Sequence, residues 1–204
     1  MSCTPGLKDY LNSSNKRLND ALKIAVAGNV IDLGINRNFD INASLKNSLR
    51  VGFAKDDFRR FKEKLDQEDQ VVILGDNAGE IVFDKLLAEE LSAMGKKITY
   101  LVKGGPILND ATRADALQVG MDQIARVVTT GSNHLGAPLA EISEEAAGIL
   151  QKAGLVISKG QANFESLEHE EIANGKVFFL LKIKCECVGI TAGSKFGDIV
   201  FFTR

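Results

Sequence analysis

Acidic and amide side chains follow two of the apolar segments in this sequence, at positions where the strands of a sheet would end. Asp76, Asn77 and Glu80 come soon after the apolar run Val71–Leu74. Asp110 lies in the segment KGGPILNDAT, which follows a second apolar run. Carboxylate and amide oxygens are hard ligands that suit Mg²⁺, Mn²⁺ or a related divalent ion better than a thiolate-binding metal. These residues therefore indicate a divalent-metal site.

Lysine residues follow apolar segments in the same way. Lys103 begins KGGPILNDAT, Lys159 lies in SKGQANFE, and Lys182 and Lys184 lie in LLKIKC. Lysine side chains suit phosphate oxygens because each presents a compact positive charge. A metal site combined with lysines is typical of phosphoryl transfer or hydrolysis, where positioning and charge neutralisation carry most of the rate.

The turn after Leu74 also admits interpretations without chemistry. Asp76 is a good residue for capping the helix that follows, and Asp110 could cap a helix in the same way. Gly75 and Gly79 could simply be glycines of a tight turn. Their spacing matches neither the G-x-G-x-x-G dinucleotide fingerprint nor the Walker pattern with its lysine. At the level of these residues, capping and metal binding both remain open.

The elements that must position these side chains form an alternating pattern from Val71 onwards. The spacing predicts strands and helices in turn, with strands at 71–75, 98–103, 126–129, 154–158, 177–182 and 198–202, and helices near 79–94, 110–119, 137–152 and 163–173. Strands separated by helical segments predict an α/β fold with a mainly parallel sheet covered on both faces. In such sheets ligands bind outside the carboxyl ends of the strands, where the acids and lysines lie.

The chain divides into two predicted regions. Residues 1–69 have helical periodicity and form a helical, lid-like N-terminal region, which ends at the polar joint DQEDQ. Residues 70–204 form the predicted α/β metal-binding catalytic domain. The 204 residues are enough for one α/β core with a small helical addition.

Composition and charge narrow the class of protein. The formal net charge of −2 gives no basic field for a nucleic-acid partner. No apolar run is long enough to span a bilayer and no signal-peptide pattern is visible, so we expect a cytoplasmic protein without a membrane partner. The cysteines Cys3, Cys185 and Cys187 are odd in number, which argues against a disulfide framework. The sequence leaves the oligomeric state open.

Five separated motifs resemble those of one known family. They are IAVAGNVIDLG, GDNAGEIVFDKLL, KGGPILNDAT, SKGQANFESL and LLKIKC, in this order. They resemble the damage-control phosphatases, a group formerly catalogued as domain of unknown function 89 that includes acidic-residue methyltransferase-like proteins. The resemblance covers residues 15–204 and is strongest to the archaeal and bacterial branch. It implies a three-layer α/β/α Rossmann-like domain with a helical N-terminal region and a single divalent metal.

The resemblance also implies roles for individual residues. The metal ligands of the family fall on Asp76, Asn77 and Asp110, and its phosphate-contacting lysine falls on Lys184. Further family positions are expected on the substrate side of the site: Lys159, Gly160, Asn163, Glu80, Asn29 and Asp32.

The hypothesis from the sequence is a divalent-metal-dependent phosphatase, that is, a phosphoric monoester hydrolase. Its substrates would be small phosphometabolites such as sugar phosphates, and its role would be metabolite damage control. The ion would be Mg²⁺, Mn²⁺, Co²⁺ or Ni²⁺. Asp76 and Lys184 are the predicted catalytic residues, and the nucleophile is either a metal-bound water or the Asp76 carboxylate.

Two other classes of function remain as alternatives. A Rossmann-like methyltransferase would bind an adenosyl cofactor at the turn after Leu74, without added metal. The lysines argue against it, because a sulfonium cofactor has no use for them. A catalytically silent protein would bind metal or phosphate without turnover.

Overall fold

The computed structural model describes residues 4–27 and 49–204 of the chain. Its helices, numbered in chain order, are α1 (Thr4–Ser13), α2 (Arg17–Ala27), α3 (Phe58–Gln67), α4 (Ile81–Ala93), α5 (Arg113–Gln118), α6 (Glu144–Lys152), α7 (Gln161–Leu167) and α8 (Glu186–Ala192). Its strands are β1 (Lys55–Asp56), β2 (Gln70–Leu74), β3 (Lys97–Val102), β4 (Ala125–Thr129), β5 (Val156–Lys159), β6 (Val177–Lys182) and β7 (Ile199–Thr203). Short 3₁₀ turns lie at Ala78–Glu80, Met121–Gln123 and Glu171–Ala173.

The described strands form one sheet in the order β1-β7-β6-β5-β2-β3-β4. Every neighbouring pair is parallel except β6 and β7, which run antiparallel. This confirms the predicted mainly parallel sheet. The chain crosses from β2 to β3 on one side and later returns to place β5 on the other side of β2. The order of strands therefore reverses between β2 and β5.

Alternate residues of β2 belong to two different hydrophobic cores. Val71 and Ile73 belong to a core that contains apolar residues of α2, α3 and α4. Val72 and Leu74 belong to a second core that contains apolar residues of α6, α7 and α8. Because successive side chains of a strand point to opposite faces, the two cores lie on opposite sides of the sheet. The three-layer α/β/α architecture is therefore confirmed.

The described part of residues 1–69 packs directly on the sheet domain. Leu7 and Leu11 of α1 and the buried face of α2 belong to the same core as Val71. Arg17 donates two hydrogen bonds to Glu90 of α4, at 2.8 and 2.7 Å. In addition, the region is not wholly helical, because β1 pairs with β7 as an edge strand. The sheet thus begins before residue 70, the predicted start of the α/β domain.

Several predicted helices have different bounds in the structure, and side-chain caps explain two of them. The helix predicted from 110 begins at Arg113, because Thr112 and Asp115 form a capping box there. The helix predicted from 137 begins at Glu144, after the side chain of Ser143 accepts a hydrogen bond from the Ala146 amide at 3.2 Å. The helix predicted over 163–173 is the shorter α7, followed by a separate 3₁₀ turn.

Helix α8 was not predicted from the sequence. Its segment ECVGITA contains glycine and β-branched residues, which are weak helix formers. Burial of Val188 and Ala192 in the second core holds it in place. Among the described helices, none combines the length and apolar character needed to cross a bilayer.

Candidate functional site

The loops that follow β2 and β5 face each other where the order of strands reverses. The side-chain amide of Asn163 joins the two strand ends, donating to the carbonyl oxygens of Gly75 at 2.9 Å and Lys159 at 2.7 Å. Asn163 is buried, and its amide oxygen has no hydrogen-bond partner. The point of strand reversal is where open α/β sheets bind ligands. Asn163, predicted to line the substrate side, here fastens the two loops together.

The turn after β2 pairs with the loop after β3. Asn77 and Asp110 form an isolated antiparallel bridge. The amide of Ala111 donates to the carbonyl oxygen of Asp76 at 2.7 Å, and the amide of Ala78 donates to that of Asn109 at 2.8 Å. These bonds bring Asp110 beside Asp76 and Asn77, although a helix and a strand separate it from them in sequence.

Helix capping does not account for the two acids. The cap position of the 3₁₀ turn falls on Asn77 and that of α4 on Glu80, and neither side chain makes a capping hydrogen bond. The cap of α5 is Thr112. Asp76 and Asp110 therefore lie beside helix starts without serving as their caps.

Burial and four charged side chains affect the pKa of the Asp76 carboxyl group. Burial raises its pKa to about 7, and the negative charges of Glu80 and Asp110 contribute to the same shift. The charges of Lys159 and Lys184 oppose it. A carboxyl group with such a pKa has less stabilising positive charge around it than its burial requires.

Glu80 and Lys159 occupy the interior of the domain, not the surface of the site. Lys159 is 0% exposed and Glu80 is 1% exposed. The Lys159 ammonium donates to Glu80 Oε2 at 2.6 Å and to Asp84 Oδ1 at 2.5 Å. The hydroxyl of Tyr100 donates to the other oxygen of Asp84, also at 2.6 Å. The polar groups of Lys159 and Glu80 thus bind protein partners, and their place on the substrate side stays a prediction.

The charge states of this buried group follow from its contacts. Burial by itself lowers the pKa of Lys159, but Asp84 and Glu80 outweigh burial and raise it, so the ammonium stays charged. Burial raises the pKa of Asp84 to about 6, against the opposing effect of Lys159. At neutral pH Lys159 is therefore a cation beside the Asp84 carboxylate.

Two glycines allow this arrangement because a side chain would collide with it. A Cβ at Gly75 would lie 2.6 Å from the hydroxyl of Tyr100, so a glycine here lets Tyr100 reach Asp84. A Cβ at Gly160 would lie 2.1 Å from Asp76 Oδ2, and Gly160 has a φ of +81°. Gly160, predicted to line the substrate side, therefore brings its backbone against the Asp76 carboxylate.

Replacing Gly160 with alanine should displace the Asp76 carboxylate. We expect Gly160→Ala to weaken Mn²⁺ binding at least tenfold, as loss of outer-shell support does, and to destabilise the fold by about 1–3 kcal/mol through backbone strain. Gly175→Ala is the matched control, because Gly175 has a φ of +73° and open space around the added Cβ. Urea denaturation and calorimetric titration with Mn²⁺ would measure both effects. Equal Mn²⁺ affinities in the two variants would contradict the prediction.

Lys103 is a further buried cation of the site. Its ammonium lies 3.4 Å from Asp110 Oδ2 and donates a hydrogen bond to the carbonyl oxygen of Gly136. Burial lowers the pKa of Lys103, and burial also raises the pKa of Asp110. This ion pair holds Asp110 beside Asn77 and ties the loop after β4 to the site.

Lys184 lies at the exposed rim of the site, just after β6. Its positive charge acts against the raised pKa of Asp76. The backbone amide of Lys184 donates to the side chain of Gln161 in α7 at 3.2 Å. Asn29 and Asp32, the remaining predicted residues, lie outside the described residues.

Sequence reasoning missed Asp84 and Tyr100. Asp84 follows Glu80 by four residues, so both project from one face of the same helical turn. That face is otherwise apolar in EIVFDKLL, and an acid within it was a usable signal. Tyr100 gave no signal, because an aromatic residue in an apolar strand is common.

The oxygen donors and the local charge fit a divalent cation. Four carboxylates, those of Asp76, Glu80, Asp84 and Asp110, surround two buried ammonium groups, Lys103 and Lys159. With the exposed Lys184 counted, four carboxylates face three lysines, and burial together with the negative charges of Glu80 and Asp110 raises the pKa of Asp76. Within residues 4–27 and 49–204, no three His, Cys, Asp or Glu side chains form a metal-binding group. The candidate set differs from such a group because it has two carboxylates and one amide.

Comparison with known proteins identifies the family of this chain. The model of the damage-control phosphatase ARMT1-like domain matches residues 1–200. The chain belongs to this family. A solved crystal structure of a DUF89 family protein from Pyrococcus horikoshii superposes on this ARMT1-like domain with a TM-score of 0.86 at 30% identity. That match covers 96% of this chain and 69% of the solved one.

The relatives of this ARMT1-like domain include named phosphatases. The chain is 38% identical over 193 residues to an uncharacterized protein of Methanocaldococcus jannaschii, covering 93% of this chain and 64% of the relative. It is 35% identical over 170 residues to a damage-control phosphatase of Pyrococcus horikoshii, covering 82% and 58%. A damage-control phosphatase of Archaeoglobus fulgidus is 34% identical over 201 residues, covering 96% and 68%. The chain thus spans less than two thirds of the first two relatives.

Proposed function

We propose that this chain is a divalent-metal-dependent phosphatase that hydrolyses monoesters of small phosphorylated metabolites. The observation that supports it most is the pairing of Asn77 with Asp110 beside Asp76, where the order of strands reverses. The damage-control phosphatase names of two relatives agree with this chemistry. The ion is one of Mg²⁺, Mn²⁺, Co²⁺ and Ni²⁺, all of which accept oxygen ligands.

The residues of the site have different roles in the proposed hydrolysis. Asp76, Asn77 and Asp110 would hold the ion, which supplies positive charge to a phosphoryl oxygen. Lys184 contacts the phosphoryl group from the exposed rim and neutralises the charge that develops in the transition state. Lys103 holds Asp110 in place through their ion pair. Positioning and charge neutralisation are the main sources of rate in phosphoryl transfer.

Metal add-back tests the proposed function directly. Chelator-treated protein is assayed with p-nitrophenyl phosphate, first without metal and then with Mg²⁺, Mn²⁺, Co²⁺ or Ni²⁺ added separately. We expect release of nitrophenol only when a metal is present, followed by turnover of one or more sugar phosphates in a panel. Thermal denaturation of the metal-free sample shows that it remains folded. A folded protein that releases nothing with any of the four ions would refute the proposal and favour a binding role.

Lys184→Ala should lower kcat by about 10²-fold or more, as removal of an oxyanion-stabilising donor does. KM should change much less, because the lysine acts on charge that develops only in the transition state. Lys195→Ala is the control, since it removes another exposed lysine from the loop after α8. Steady-state kinetics at saturating metal measure both constants. A loss confined to KM would instead indicate uniform binding of substrate and transition state.

A further inference from the structure

Both carboxylate oxygens of Glu80 accept hydrogen bonds from protein groups. Oε1 accepts from the side-chain amide of Asn77 at 2.6 Å. Oε2 accepts from the ammonium of Lys159 at 2.6 Å. Glu80 thus connects a predicted metal ligand on the surface of the site to a fully buried cation.

A buried network holds Glu80 in this position. Lys159 also donates to Asp84 Oδ1 at 2.5 Å, and Asp84 Oδ2 accepts from the Tyr100 hydroxyl at 2.6 Å. Asp84, Tyr100 and Lys159 are all completely buried. A buried network whose members are all hydrogen-bonded is rigid, because any movement would leave a polar group unpaired. Glu80 therefore presents Oε1 to Asn77 from a fixed place.

The contact with Glu80 decides which end of the Asn77 amide can bind a cation. Only the NH₂ end can donate to a carboxylate, and Asn77 Nδ2 also lies 3.2 Å from Asp76 Oδ2. Turning the amide over would place its oxygen against the Glu80 carboxylate, two acceptors facing each other. The nitrogen of the Asn77 amide thus stays directed at Glu80 Oε1 and Asp76 Oδ2. The amide oxygen is the end that can act as a metal ligand.

We propose that Glu80 is a positioning residue that fixes the amide of Asn77 for metal binding, with Lys159, Asp84 and Tyr100 as its buried support. The proposal rests on the metal site of the proposed function. Outer-shell partners of this kind typically contribute 10- to 100-fold to metal affinity.

Glu80→Gln tests the proposal because glutamine has one acceptor oxygen where Glu80 uses two. The new side chain can accept from Lys159 or from Asn77, but not from both. We expect the Kd for Mn²⁺ to rise about 10- to 100-fold, measured by titrating metal-free protein and following free Mn²⁺ by electron paramagnetic resonance. The Mn²⁺ concentration that gives half-maximal hydrolysis should rise by the same factor as the Kd, because the variant weakens occupancy of the site.

Asp84→Asn is the matched control for charge. It removes one negative charge from the same buried network, yet its hydrogen bonds can all be kept. The amide oxygen accepts from Lys159, and the Tyr100 hydroxyl reverses to accept from the amide nitrogen. We expect its Kd for Mn²⁺ to rise at most a few-fold. An equal loss of affinity in Asp84→Asn and Glu80→Gln would mean that charge alone matters, and would overturn the proposal.

A second variant keeps the test decisive if Glu80→Gln does not fold. Glu80→Asp retains the charge but is one methylene shorter, so it cannot reach Asn77 and Lys159 together. Its Kd for Mn²⁺ should also rise at least tenfold. A folded Glu80→Asp or Glu80→Gln protein with wild-type affinity would overturn the positioning role.

The outcome for wild-type protein separates this inference from the proposed function. A wild type that binds Mn²⁺ but hydrolyses no phosphate ester refutes the phosphatase, while weaker Mn²⁺ binding by Glu80→Gln still supports the positioning role. A wild type that hydrolyses esters, with unchanged affinity in Glu80→Gln, refutes the positioning role alone. A folded wild type that binds none of Mg²⁺, Mn²⁺, Co²⁺ and Ni²⁺ overturns both.

Discussion

Asp76→Asn is expected to lower metal-dependent hydrolysis of p-nitrophenyl phosphate by at least about 10³-fold. The substitution keeps the shape of the side chain and removes a charged ligand, and the charge stabilisation that a catalytic metal provides amounts to several kcal/mol. Titration with Mn²⁺ should show weaker binding in the same variant. Asp122→Asn is the control, since Asp122 is exposed in the 3₁₀ turn before β4, at the opposite end of the parallel strands from the site. Near wild-type turnover by folded Asp76→Asn protein would refute the metal assignment.

The same variant should be more stable than the wild type at alkaline pH when metal is absent. The pKa of Asp76 is raised from its ordinary value of 3.8 to about 7 by burial and by Glu80. Between these values the folded protein binds more protons than the unfolded chain, so wild-type stability falls as pH rises. Asp76→Asn removes this dependence. We expect its Tm to exceed that of the wild type by a few degrees at pH 8 and by much less at pH 4.5, measured by calorimetry in the presence of chelator.

Lys159→Met should destabilise the domain by about 3–5 kcal/mol, the typical cost of removing one partner of a buried ion pair. Methionine has a similar length but leaves Glu80 and Asp84 as buried carboxylates without their cation. Each would have to take up a proton or draw in water. Urea denaturation of metal-free protein at pH 7.5 measures the loss.

Two further variants show whether the loss comes from the unpaired charges. Lys152→Met removes an exposed lysine at the end of α6 and should change the free energy of unfolding by less than about 0.5 kcal/mol. Adding Asp84→Asn to Lys159→Met removes one of the two carboxylates that have lost their cation. The double variant should therefore recover part of the free energy of unfolding. A destabilisation below about 1 kcal/mol in the single variant would be incompatible with the buried network.

The order of elements could be predicted largely from local patterns. Apolar runs such as Val71–Leu74 are buried on both faces of a parallel sheet, so they stand out without any partner being known. Helix α8 could not be predicted, because burial of Val188 and Ala192 against the sheet outweighs the weak helix propensity of its sequence. Strand β1 could not be predicted either, because two residues show no periodicity. Only their pairing with β7 makes them a strand.

The sequence by itself determined which residue types stand at the ends of the strands. The oxygen donors Asp76, Asn77 and Asp110 and the lysine Lys184 could be read there, because a parallel sheet collects the carboxyl ends of its strands at one edge. The chemistry that these types suit followed from their charge and hardness.

Only the tertiary structure decided which polar side chains face the site and which are buried beneath it. In the sequence, Lys159 and Glu80 follow apolar runs just as the predicted ligands do. In the structure, both are buried together with Asp84 and Tyr100. The direction of a side chain depends on which face of a strand or helix it occupies and on what packs there. A buried charge also needs a partner. Here Glu80 and Lys159 are partners, and 79 positions separate them along the chain. Such pairings are fixed by the packing of α4 on the sheet, which no local pattern contains.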